Sequence, residues 1–381
     1  IIFLDEPLTS YQKIDLSKYD LVIIHHLTGG TSSLAVELTT DINRPVILIA
    51  SGAHNALASA LSARAKMIYS RIKVKLIHYI DLDDLKEKFE ILYRGVLTGD
   101  LLRKLKILEV NETGETSPMA HYYMDRVGGM VETVSFKELI EIAENASKNN
   151  IKNLIRDISD HIDLTSVEEE YLEKAVRIYY ALNDVVEKGG YRAVTIDCFP
   201  MIMAYKVTPC LALAMLNARG IPASCENDFY SLPLLIVSRY LTGRAGWIAN
   251  PSGVTSDGYL RFAHCTIAPS LGLDCRLTSH FETGQPYAVT CRYSFREVVF
   301  GRFDREFNVL RVYRGKVVDS GMLEKMYCRT QLIIDPSPLS PDEFIGEALG
   351  NHHVFMPLET GLFDSLDYLA WWMDWKLEVR S

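Results

Sequence analysis

The apolar positions of the first 110 residues fall into short blocks separated by polar turns. Leu21-Val-Ile-Ile24 is bounded by Asp20 and by His25-His26; Pro45-Val-Ile-Leu-Ile-Ala50 and Val74-Lys-Leu-Ile-His-Tyr-Ile80 follow. Runs of this length predict buried parallel strands, which need apolar side chains on both faces. The Ala- and Leu-rich stretch Asn55–Arg64 lies between two of them and predicts a helix. Strand, helix, strand at this spacing indicates an α/β unit with a parallel sheet.

The polar stretch Asn111–Pro118 (NETGETSP) is a candidate linker, after which a second α/β pattern begins. Ser135-Phe-Lys-Glu138 is a capping box opening a helix to about Lys148. Tyr171–Val186 reads as a longer helix ended near Gly189-Gly190, and Ala193-Val-Thr-Ile196 as a strand ending at Asp197. Thr208-Pro209 predicts another helix start, with Thr as N-cap and Pro at the first helical position, running to Gly220. Ile221–Cys225 predicts the next short strand.

The texture changes after about residue 255. Tyr287–Tyr293, Glu297–Phe300 and Val309–Tyr313 favour β-branched and aromatic residues, punctuated by Gly301, Gly315 and Gly321. They predict a mainly antiparallel β region, a barrel or a sandwich. The tail Tyr368–Trp375 predicts a helix whose tryptophans pack in a core or a subunit interface. No solenoid repeat or low-complexity tract interrupts the chain. The expected fold class is α/β, with two Rossmann-like parallel-sheet domains at 1–115 and 116–222 and a β-rich, barrel-like domain at 223–381.

Composition narrows the function classes. A formal charge of −9 without any Lys/Arg cluster argues against a nucleic-acid-binding face. No apolar run is long enough to span a bilayer, since Met201–Leu216 is interrupted by Lys206 and Pro209. The opening residues IIFLDEPL carry an acid and no basic segment, so they do not read as a signal peptide, and the missing initiator Met suggests a start further upstream. Seven scattered cysteines without CxxC pairs suit a reducing cytoplasm and give no zinc-finger signal.

Open parallel sheets place ligands at the carboxyl ends of their strands. Three such ends carry chemistry: His25-His26 with Thr28-Gly-Gly-Thr31, Asp197-Cys198, and Glu226-Asn-Asp228. The loop around Gly30 and Thr31 lets backbone amides approach ligand oxygens, but it matches neither a Walker loop nor a dinucleotide fingerprint. Glu226 and Asp228 alternate, so on an extended segment both carboxylates face one side. The alternative is a solvated polar turn, and spacing does not choose between them. His264, His280 and the pair His352-His353 lie among apolar or small residues. Histidines and acids together form the ligand chemistry of Mn²⁺, Mg²⁺ or Fe²⁺, although each histidine alone suits a hydrogen-bonded core position equally.

Several blocks together resemble the L-fucose isomerase and L-arabinose isomerase superfamily, L-fucose-isomerase-like proteins above all. They are Thr208–Asp228 continuing through Leu241-Thr-Gly243, Ala263-His-Cys-Thr266 with Ser279–Gly284, Cys328-Arg-Thr-Gln331, and Gly350-Asn-His-His353. In the first domain Gly29-Gly-Thr31, Pro45–Leu48 and Asn55–Leu61 add to the likeness. The resemblance implies a homo-oligomer, a trimer or hexamer, that interconverts an aldose and a ketose through an ene-diol. It implies a divalent cation, typically Mn²⁺, held by two carboxylates and a C-terminal histidine. By position, Asp228 resembles the second carboxylate and either His352 or His353 the histidine, with His264 as a lesser candidate. Arg329 is a candidate for holding a substrate hydroxyl or anionic group, a surface ion pair being the alternative.

One departure stands out. The family's first carboxylate lies in the helical region upstream of the second, where this chain reads Met201-Ile-Met-Ala-Tyr-Lys206. Asp197 and Glu226 are the acids available to replace it. If neither does, the chain is a sugar-binding or non-catalytic relative with an altered metal site.

Overall fold

A computed structural model describes residues 6–380 except 13, 17, 41 and 43. The N-terminal reading at residues 1–5 lies outside the described residues. The chain divides into two compact units, Ile1–Tyr93 and Arg94–Ser381. The expected limits after residues 115 and 222 both fall within the second. No helix among the described residues is long and apolar enough to cross a membrane.

The first unit is built on a parallel sheet of three strands, Val22–His26, Val46–Ser51 and Val74–Tyr79, in that order. The central strand has both faces covered, with Val46, Ile47, Leu48 and Ala50 fully buried, as its unbroken apolar run predicts. Helix Ala56–Tyr69 packs Ala60, Ala63 and Met67 against the sheet.

The second unit begins its own parallel sheet at Lys106–Asn111, flanked by Met130–Ser135 on one side and by Ala193–Ile196 and then Ala223–Ser224 on the other. Asn111–Pro118 is accordingly a strand-to-helix loop of this unit, closed by Asn111 Oδ1 accepting from the Thr113 and Gly114 amides. The Ser135/Glu138 capping box is present at helix Phe136–Glu144, and helix Glu169–Gly189 ends on Gly190 with φ +67°. The expected helix start at Thr208-Pro209 moves: the helix is Cys210–Ala218 with Pro209 at the cap position. Thr208 is drawn off because its buried hydroxyl donates to the Tyr287 carbonyl at 2.6 Å instead of capping the helix.

The β region closes into a six-stranded antiparallel barrel. Its strands are Glu297–Phe303, His353–Pro357, Trp247–Val254, Leu260–His264, Thr330–Asp335 and Val309–Gly321, the last pairing back with the first. Closure removes sheet edges, except that Lys376–Arg380 adds in parallel to Val309–Gly321. The registers Phe300↔Phe355 and Phe300↔Tyr313 stack aromatic side chains across neighbouring strands. Phe262 sits in their midst, with ring centroids 5.2 Å from Phe300 and 4.8 Å from Phe355. The tail forms helix Leu362–Met373, where Trp372 covers Gly99: a Cβ there would come within 2.5 Å of the indole.

Scattered cysteines predict free thiols, and five are free. Cys275 and Cys291 instead form a disulfide, because they face each other across the hairpin Gly272–Ser279/Pro286–Tyr293 with Cα atoms 4.1 Å apart.

Truncating Phe262 would empty the centre of the barrel. Phe262→Ala is expected to cost about 3–5 kcal/mol of stability in urea unfolding. A loss below about 1 kcal/mol would mean that the ring is not the packing centre.

Candidate active site

The strand Ala223–Ser224 delivers its following loop to the carboxyl end of the second parallel sheet. There the backbone turns through Glu226 and Asn227 at φ +58° and +50°, the left-handed region that L-residues adopt at a cost. Three bonds hold that turn. The Asn227 amide donates to the Ile196 carbonyl at 2.9 Å, the Asp228 amide to Cys225 at 3.1 Å, and Asn227 Nδ2 to Glu109 Oε1 at 2.7 Å. Glu109 is fully buried on the central strand, and its other oxygen accepts from the Ser117 amide and the Thr133 hydroxyl.

Beyond the turn, Asp228 is buried and saturated. Its Oδ1 accepts from the amides of Tyr230 (2.8 Å) and Ser231 (3.1 Å). Its Oδ2 accepts from the Ser231 hydroxyl (2.5 Å) and from His352 Nδ1 (2.7 Å). Burial pushes its carboxyl upward, but the His352 and Ser231 bonds and the His352 and Arg302 charges outweigh that and hold it below the usual carboxylate range. His352 shows the converse balance: burial lowers it, yet the bond to Asp228 and the charges of Asp228 and Glu226 leave it raised.

With Nδ1 committed to Asp228, His352 is oriented by its other nitrogen. Nε2 is buried and has no hydrogen-bond partner among the described residues, and it lies 3.7 Å from Glu226 Oε2. His264 ends the barrel strand Leu260–His264 on the same side as Phe262, and its Nε2 lies 3.8 Å from Glu226 Oε1 and 3.6 Å from Cys225 Sγ. The two imidazoles meet edge to face at 5.5 Å. Donor atoms of Cys225, Glu226 and His264 all lie within 4.8 Å of one another, so they could share one ion. Two donors that each approach an ion at about 2.1 Å lie roughly 3–4 Å apart. The Glu226–imidazole spacings and the orphaned His352 nitrogen therefore fit a divalent cation. The Glu226 side chain is 34% exposed, so this carboxylate faces open space where Asp228 does not. Burial would raise it, but the His264 bond and the charges of His352 and His264 leave it lowered.

The remaining sequence candidates sit in other surroundings, with Asp197 feeling the Glu226 charge. His353, next to His352, turns into the barrel among Phe262, Phe300 and Phe344, where burial lowers it to about 4 and keeps it neutral. Asp197 follows the strand Ala193–Ile196 at the N-terminus of helix Cys198–Tyr205 but makes no capping bond. Burial, then the charges of Glu109, Glu112 and Glu226, raise its carboxyl. Arg329 donates to the Ser279 carbonyl (2.7 Å) and hydroxyl (3.1 Å) and lies over Phe281. Gly30 and Thr31 belong to the first unit, where the Thr31 amide donates to Ser59 Oγ. Cys225, Ser231 and Glu109 did not stand out in the sequence. The signal for Glu109 was an acid within the apolar run Ile107–Val110, a position that needs partners from elsewhere in the fold.

Residues 122–243, which include the Glu226–Asp228 turn, match the family described as the L-arabinose isomerase central domain. Over 355 residues the chain is 22% identical to a sulfoquinovose isomerase of Clostridium sp. (strain MSTE9), covering 85% of this chain and 77% of that protein. Over 151 residues it is 24% identical to an L-arabinose isomerase of Pectobacterium atrosepticum, covering 38% of this chain and 28% of that protein. Together these matches support a fucose/arabinose isomerase-like superfamily for the chain. Asp228 and His352 are 124 residues apart in sequence, which is why their pairing was hidden.

Replacing Glu109 by Leu would leave Asn227 Nδ2, the Ser117 amide and the Thr133 hydroxyl without their acceptor. Glu109→Leu is expected to lower unfolding free energy by about 3 kcal/mol or more in urea titration. Unchanged stability would show that the strained turn is held without it.

Proposed function

We propose that this chain is an aldose–ketose isomerase working with a divalent cation, Mn²⁺ by family resemblance, held by Glu226, His264 and His352. The reading rests above all on the orphaned, buried Nε2 of His352 facing Glu226 across 3.7 Å, with Nδ1 already locked by Asp228. The two curated relatives, both sugar isomerases by name, support the reaction class. A cation bound there supplies Lewis-acid charge beside the sugar's carbonyl and hydroxyl oxygens.

The chain's own groups divide the remaining work. Isomerisation removes a proton from the carbon next to the carbonyl and returns one to the former carbonyl carbon, so it needs a group that both accepts and donates. Asp197 suits that role, because its raised carboxyl brings the two protonation states closer to balance near neutrality. Asp228 is the positioning residue: its four accepted bonds leave it to orient His352.

Assembly as a trimer or hexamer belongs to the same reading. The exposed apolar side chains Tyr69, Ile80 and Leu82 of the first unit support it. We propose the cytoplasm for the chain on its five free thiols, against which stands the single Cys275–Cys291 disulfide.

The test is a panel of aldoses and ketoses, L-arabinose, L-fucose and sulfoquinovose among them, given to chelator-stripped protein with and without Mn²⁺. Turnover that returns with the metal is the expected result. Glu226→Gln should lose both Mn²⁺ retention and turnover. Asp197→Asn should keep the metal while kcat falls by about 10²-fold or more. A Glu226→Gln protein that binds Mn²⁺ as tightly as the wild type would overturn the assigned ligand set.

A further inference from the structure

His352 is fixed at its ring by Asp228, but a ring stays in place only if the backbone beneath it does. Beneath it lies Arg302, on the barrel strand Glu297–Phe303 and only 8% exposed. Its Nη1 donates to the His352 carbonyl at 2.8 Å, a contact between two buried groups. Its guanidinium lies over the Tyr230 ring, 5.4 Å from the centroid. Tyr230 in turn stacks on Phe307 at 5.1 Å and donates its backbone amide to Asp228. The guanidinium thus touches both sides of the Asp228–His352 pair: the main chain of the histidine and the residue two positions beyond the aspartate.

The space Arg302 occupies is kept open by Gly350, two residues before His352. A Cβ on Gly350 would stand 2.5 Å from Arg302 Nε and 2.6 Å from its Cζ. Gly350 has an ordinary backbone angle, so its lack of a side chain answers to Arg302 and not to a strained turn. A buried cation without its own carboxylate partner is expensive in isolation. Here Arg302 senses the Asp228 charge nearby and, in return, favours that carboxylate's ionised form.

We infer that Arg302 is a positioning residue for the active site: by pinning the His352 carbonyl beside the Asp228 carboxylate, it holds the His352 imidazole with Nε2 turned toward Glu226. Only a planar fork serves, since lysine offers a point charge that cannot lie flat on Tyr230 while reaching the carbonyl. The effect on cation binding rests on the reading of Glu226, His264 and His352 as the metal centre; the effect on the imidazole does not.

Three variants of the full chain test it: Arg302→Met, Arg302→Lys and Gly350→Ala, the last keeping the arginine but pushing its head group aside. Each is stripped with chelator and followed two ways. Long-range ¹H–¹⁵N correlation of the histidine rings, with His352 assigned by a His352→Gln control, should show the His352 ring protonated at Nδ1 in the wild type. The same signal should be shifted or exchange-broadened in Arg302→Met and Gly350→Ala. Calorimetric titration with Mn²⁺ should show binding weakened about 10-fold or more in Arg302→Met. Arg302→Lys should restore only part of the loss. If Arg302→Met does not fold by circular dichroism, Gly350→Ala decides. An unchanged His352 ring signal in a folded variant overturns the inference whether or not metal binds. A wild type that takes up no Mn²⁺ yet shows the ring effect sinks the metal reading and leaves this one standing.

Discussion

The 2.7 Å bond between His352 Nδ1 and Asp228 Oδ2 joins the two halves of the second unit's chemistry. One partner comes from the loop after a parallel strand, the other from the residue before a barrel strand. A carboxylate as deeply buried as Asp228 is tolerable only when its lone pairs are satisfied. Four donors satisfy it, two of them backbone amides at the entrance to helix Leu232–Thr242. The same saturation that makes the burial affordable fixes the helix start, the loop and the imidazole together. Loss of any one donor would be felt by the others, since low dielectric strengthens each surviving bond and penalises each missing one.

Four acids near this point then behave differently because their surroundings differ. Glu109 is a structural acceptor, buried and bonded to three donors around the strained turn. Asp228 is locked on the histidine. Glu226 is left facing two imidazoles and open space, which a left-handed backbone at Glu226 and Asn227 makes possible. Asp197, without a capping bond, is raised first by burial and then by the charges of Glu109, Glu112 and Glu226. The strain at the turn is thus localised where the side chain must be re-aimed, and Glu109 is its counterweight.

Much of the fold was legible because it follows from periodicity. The strand Ala193–Ile196, the Ser135 capping box and the core strand Val46–Ser51 were all written in local pattern. Thr208 was not, because its competing acceptor, the Tyr287 carbonyl, is supplied by a strand 79 residues away. The site was legible as residue types and not as roles. Glu226 and Asp228 looked equivalent by alternation, yet an extended segment was the wrong premise, since Glu226 and Asn227 are both left-handed. His352 and His353 looked interchangeable, and only the barrel register, which pairs His353 with Ala249, sends one ring inward and leaves the other at the rim.

The absent upstream acid also acquires a physical setting. Residues 201–206 form the end of helix Cys198–Tyr205, where Met201 and Ile202 are fully buried. A carboxylate at either position would be an uncompensated buried charge unless the helix were reset. With that helix apolar, the carboxylate left facing open space beside the histidines is Glu226, flanked by two imidazoles and the Cys225 thiol, which burial holds protonated. One carboxylate with two nitrogens binds hard ions less tightly than two carboxylates would, and nitrogen donors suit the whole first-row divalent series. On the proposed ligand set, selection among those ions would fall to geometry, and so to the fixed direction of His352. On that proposal, the constraint that orders the fold around Asp228 and the one that would choose a cation are the same hydrogen bond seen from its two ends.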